Sequence, residues 1–164
     1  MTTIDTDQKR PKTGLSQELL SSTPFLLKRL GLTVKERAHE ALDGTGLQGQ
    51  HHAVLSLLEE GARETQGTIA DALGYDRSQM VGLLDELEEQ GLVERQRDPR
   101  DRRCHLVSMT PAGDEALARL RAILQRVQED FLAPLAPEQR ETLHELLLEL
   151  ASHHDASFVS IPKG

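Results

Sequence analysis

"TIADALGYDRSQMVGLLDELEEQG", residues 68 to 91, contains two short helical patterns separated only by "GYD". Ile69, Ala70 and Leu73 recur at helical spacing before Gly74, and Met80, Leu83, Leu84 and Leu87 do so before Gly91. Thr65 stands where a cap of the first helix belongs. Asp76 can cap the second, with Gln79 three residues later in the capping-box position. This is helix-turn-helix spacing, in which a short first helix braces a second. Taken alone, the pattern also describes two ordinary packed helices.

The residues that follow narrow the choice. "LVERQ" alternates into a turn at "RDPRDR", and "CHLVSM" returns, so a hairpin directly succeeds the second helix and makes the motif winged. Arg95, Arg97, Arg100, Arg102 and Arg103 concentrate there, in a chain whose formal net charge is -8. A solvated turn tolerates such charge. A turn beside a possible recognition helix can also bring it to a phosphate backbone or an AT-rich minor groove. Asp98 and Asp101 are placed to hold the loop by accepting hydrogen bonds from Arg97 or Arg103. On the second helix the first turn offers Arg77, Ser78 and Gln79, side chains suited to guanine, phosphate and adenine respectively. Asp85, Glu86, Glu88 and Glu89 would be repelled by phosphates, so only the first turns are expected to dock.

Outward from this unit the chain is helical. Residues 1 to 18 read as a flexible arm, and 19 to 46 as a helix ended by "DGTG". A helix from about Gln48 to Glu60 opens the central domain, 47 to 110. Thr110 and Pro111 cap a long helix with Leu117, Leu120, Leu124, Val127 and Phe131 on one face. "APLAP" breaks it, a last helix covers roughly 138 to 152, and 153 to 164 reads as a flexible tail. The fold class is mainly α with a small β-hairpin wing: a winged helix-turn-helix with flanking dimerisation helices. The terminal helices (19 to 46, and 111 to 152) are apolar beyond what the central domain needs, and pairing across a twofold axis would bury them.

Composition sets the bounds. The 164 residues are 37% hydrophobic but 2% aromatic, so the core must be built of Leu, Val, Ala and Ile. No apolar run is long enough for a membrane span, and the N-terminus lacks a secretory signal's apolar stretch; a cytoplasmic location is the expectation. Cys104 is the single cysteine. His51–His52 and His153–His154 lack metal-ligand spacing, so no metal or other cofactor is expected. No nucleophile or phosphate-loop motif points to an enzyme. The alternative to a DNA-binding protein is a helical homodimer that binds a small molecule or protein without DNA.

Residues 47 to 120 resemble bacterial MarR-type winged helix-turn-helix regulators. The resemblance is carried by the 68-to-103 stretch through "DPRDRR" and then by "LVSMTPAG"; with the flanking helices it covers about residues 19 to 152. It implies a homodimer, a palindromic double-stranded DNA operator, repression, and release by a small phenolic, lipophilic or oxidising effector. It places Asp76 to Gln79 at the start of the recognition helix and Arg100 and Arg102 at or near the wing tip. Asp98, Asp101 and Arg103 match the wing's ion-pairing positions. His51 and His52 fall near the family's effector pocket. The chain departs from the family at Val81 and Gly82, where a small polar residue and an arginine are common.

Overall fold

Side-chain caps and tight glycine turns divide the chain into its elements in the computed structural model, which describes residues 14–59, 63–99, 105–155 and 158. Two compact units meet in sequence between Thr33 and Val34. In the first, Ser16 caps α1 (Gln17–Leu20) by accepting the Leu19 N–H at 3.3 Å. This turn straddles the expected boundary between the arm (1 to 18) and the helix (19 to 46). Helix α2 (Thr23–Leu42) begins in the first unit and ends in the second, with Leu42 its one buried residue.

The second unit holds α3 (Gly49–Leu57), β1 (Glu64–Thr65), α4 (Gln66–Leu73), α5 (Arg77–Glu89), β2 (Val93–Arg97), β3 (His105–Met109), α6 (Pro111–Leu132) and α7 (Pro137–His154). Thr65 caps α4 by accepting from the Thr68 N–H at 3.1 Å. Gly74 ends that helix at φ +66, a conformation that side chains with a Cβ disfavour, so the chain turns within "GYD". Met80, Leu83, Leu84 and Leu87 bury one face of α5 against a core that includes Val54, Leu55, Leu58, Ile69 and Leu120. The periodicity that defined the helices thus also selects their buried faces.

The sheet has three antiparallel strands in the order β1-β3-β2. The sequence predicts only the β2–β3 hairpin, whose register runs from Val93↔Met109 to Arg97↔His105. Strand β1 adds Glu64↔Val107 and Thr65↔Leu106. Two residues show no alternation from which a strand can be read. The sheet joins α6 at Thr110, whose hydroxyl donates to the Gly91 carbonyl at 2.7 Å and accepts the Gly113 N–H at 3.1 Å. A Cβ on Gly113 would lie 2.2 Å from the Leu92 carbonyl oxygen, so "MTPAG" needs its glycine for close packing.

Helix α7 continues to His154, whereas the sequence reading starts a loose tail at His153. None of its residues is buried. Val34 and Ala38 of α2, Leu124 and Phe131 of α6, and Leu143 and Leu147 of α7 line an apolar groove of about 570 Å³. Among the described residues no helix is long and apolar enough to cross a membrane.

Candidate nucleic-acid interface

The exposed start of α5 is built on Asp76. Its Oδ1 accepts the Ser78 hydroxyl at 2.6 Å and the Gln79 N–H at 2.8 Å. These bonds, the hydroxyl first, hold the Asp76 carboxyl below the usual aspartate range. Ser78 is exposed and Gln79 half-buried. Arg77 leans back over α4: its guanidinium covers Gly67, with Nη2 3.6 Å from Asp71 Oδ1. Both side chains of that pair are more than two-thirds exposed, so it holds Arg77 weakly and leaves it available to a partner.

The acids on the later turns of α5 are engaged from two sides. Alternation puts Arg95 on the same face of β2 as buried Val93. Arg95 Nη2 lies 2.6 Å from Asp85 Oδ1, and Nη1 lies 2.7 Å from Glu88 Oε2. From α3, buried His51 places Nε2 2.9 Å from Glu86 Oε2. The Gln48 backbone N–H donates to Nδ1 at 3.1 Å, so the hydrogen-bond network assigns the ring proton to Nε2. Three carboxylates that would repel a duplex are therefore each paired with a side chain of the protein. The acids are evident in the sequence, but neither partner is. Arg95 was one of five similar arginines, and His51 lies 35 positions from Glu86 with no local pattern joining them.

His52 is half-buried, with Nε2 3.4 Å from the Ser56 hydroxyl. Burial, and secondarily the Arg121 charge, pushes its pKa down. Arg121 itself forms a two-pronged pair with Glu59, which lowers the Glu59 pKa and raises that of Arg121. Beside α3, Lys35, Ala38, His39, Gln48, Gln50 and Tyr75 line a cavity of about 380 Å³. His51 thus sits behind Gln48 rather than in this lining.

In the wing, Arg97 is exposed opposite His105, and Asp98 is half-buried. Arg100, Asp101, Arg102, Arg103 and Cys104 lie outside the described residues. Among the described residues no three His, Cys, Asp or Glu side chains converge as metal ligands.

Helices α4–α5, followed by the β2–β3 hairpin of the three-stranded sheet as a wing, define the second unit as a winged helix-turn-helix. A sequence model of the MarR family matches residues 45–103. A MarR-family transcriptional regulator from Rhodococcus sp. RHA1 is 33% identical, with TM-score 0.75 over 83% of this chain and 98% of that one. The repressor CouR bound to a 23-mer DNA duplex is 32% identical, with TM-score 0.78 over 85% of this chain and 99% of that one. CouR from Rhodococcus jostii RHA1 bound to p-coumaroyl-CoA is similar at 31% identity and TM-score 0.72, over 83% and 96%. A putative transcriptional regulatory protein for the hcr operon of Thauera aromatica is 37% identical over 99 residues, and the match spans 60% of each protein. The chain belongs to the MarR family.

Proposed function

We propose that the protein is a cytoplasmic, homodimeric regulator that represses transcription by binding a palindromic double-stranded DNA operator and is released by a small phenolic or lipophilic effector. The observation that carries this reading is the polarity of α5. Its first turn presents Arg77, Ser78 and Gln79, while Arg95 pairs with Asp85 and Glu88 and His51 with Glu86. In this reading Arg77 and Gln79 address base edges and Ser78 a phosphate. Arg97, Arg100 and Arg102 clamp the flanking backbone, while Asp98, Asp101 and Arg103 shape the wing.

The duplex-bound and p-coumaroyl-CoA-bound states of CouR support both halves of the proposal. The effector would occupy the 380 Å³ cavity, where Lys35 and His39 suit an anionic ligand and Tyr75 joins the lining from the helix-turn-helix. His51 would act through Gln48, which lines the cavity, and His52 would border the site on α3. The exposed leucines of α7 and the apolar groove beside them supply the dimer surface.

Genome-wide mapping of bound fragments, with and without phenolic acids and their CoA thioesters, tests this directly. The expected result is one enriched palindromic sequence whose occupancy falls with an effector. Ligand binding with no enriched sequence would identify a small-molecule-binding dimer instead.

A further inference from the structure

Gly82 lies mid-helix in α5 without a structural reason to be glycine. Its φ is not positive, and a Cβ built there meets nothing within 4 Å. Such a glycine destabilises a helix relative to alanine. Val81 beside it is also an unfavourable surface choice: it is β-branched and 40% exposed on a helix whose other side holds the core. A single exposed valine is ordinary on a protein surface. The adjoining glycine, with open space where a side chain would be, leaves room for a partner to come close to the backbone from outside.

We infer that the Val81–Gly82 step reads a thymine: Val81 packs on the thymine 5-methyl group, and Gly82 lets the α5 backbone come close to the base edges. The inference rests on the DNA-binding reading above. Val81 and Gly82 follow Arg77 and Ser78 by four residues, so they continue the same exposed face one turn deeper along the helix. Asp85, the next residue on the Val81 row, is pulled toward Arg95, which keeps its carboxylate off that edge. The thymine 5-methyl is the apolar group in the major-groove pattern, and an aliphatic side chain is its matching contact. No hydrogen-bonding partner is required of either residue.

The test uses the full chain and a duplex selected by the wild type from a randomised library. Each thymine is replaced in turn by deoxyuridine, which lacks only the 5-methyl. At one symmetric position per half-site, the wild type should lose about fourfold affinity per methyl, the value of burying one such group. Val81→Ala should remain folded and lose that sensitivity. Gly82→Ala should raise the melting temperature by about 2–4 °C while weakening specific binding. A purely structural glycine would not produce those opposite signs. Sequence-selective binding with no uracil-sensitive thymine, or equal sensitivity in Val81→Ala, overturns the inference. So does Gly82→Ala that binds as tightly as wild type. Failure of the wild type to select any sequence overturns the DNA-binding reading itself.

Discussion

Arg95 and Glu88 are joined twice: the guanidinium Nη1 lies 2.7 Å from Glu88 Oε2, and the Arg95 backbone N–H donates to Glu88 Oε1 at 3.3 Å. One carboxylate thus fixes both the side chain and the backbone of the first wing strand to the end of α5. Since Arg95 also holds Asp85, wing position and the pairing of Asp85 and Glu88 depend on one residue.

Arg95→Ala should therefore destabilise the fold by about 1–2 kcal/mol in urea unfolding, an amount kept modest because both carboxylates are substantially exposed. It should also weaken DNA binding, since two carboxylates are released near the duplex. Arg95→Lys should restore little, because an ammonium lacks the fork that spans both acids. Full recovery in the lysine variant would show that charge alone matters.

His51→Ala should cost about 2–4 kcal/mol, combining a cavity with the loss of bonds to Gln48 and Glu86. Long-range nitrogen NMR of the wild type should find the ring proton on Nε2. A proton on Nδ1 would break the assigned link between α3 and α5.

The shifted groups set the acid limb of stability. The His52 pKa is lowered on folding, so its contribution is complete above about pH 6.5 and declines as pH falls through the lower folded value. The Asp76 contribution is likewise complete above about pH 4 and is lost as pH falls through its depressed folded value. Melting curves of His52→Gln should flatten only the first decline. Those of Asp76→Asn should reduce only the second, which Glu59, lowered by Arg121, shares. The same variant flattening both would contradict these separate assignments.

Assembly is checked by sedimentation. The wild type should sediment near twice 18.2 kDa at low micromolar concentration. Leu146→Glu combined with Leu150→Glu, at positions 55% and 48% exposed on α7, should yield monomers that retain their helical signal. A wild type that is monomeric throughout would remove the dimer from the account.

Much of this architecture was legible because it is local. Thr65, Asp76 and Thr110 cap the helices the sequence assigns to them, and the stripe from Met80 to Leu87 faces the core. The β2–β3 hairpin follows the two strand-like runs on either side of the turn. Less legible were features that depend on distant partners or on too few residues. Strand β1 exists because β3 offers it an edge, α1 is a single turn set by Ser16, and His51 meets Glu86 only through folding. For the candidate site, residue types at the start of α5 were readable, whereas the pairing of its later acids with Arg95 and His51 was not. The departure at Gly82 was readable as composition, but the open space around it was not.

The central claim is specific DNA binding through α5 and the wing. Its most direct measurement is a titration of the full chain against the selected duplex and a scrambled duplex of equal composition, across a salt series, with Arg97→Ala alongside. The selected duplex should be preferred by at least about a thousandfold. Affinity should also fall steeply with salt, reduced by about two units of slope in the variant because a dimer loses the phosphate contact twice. Equal affinity for both duplexes would contradict the claim.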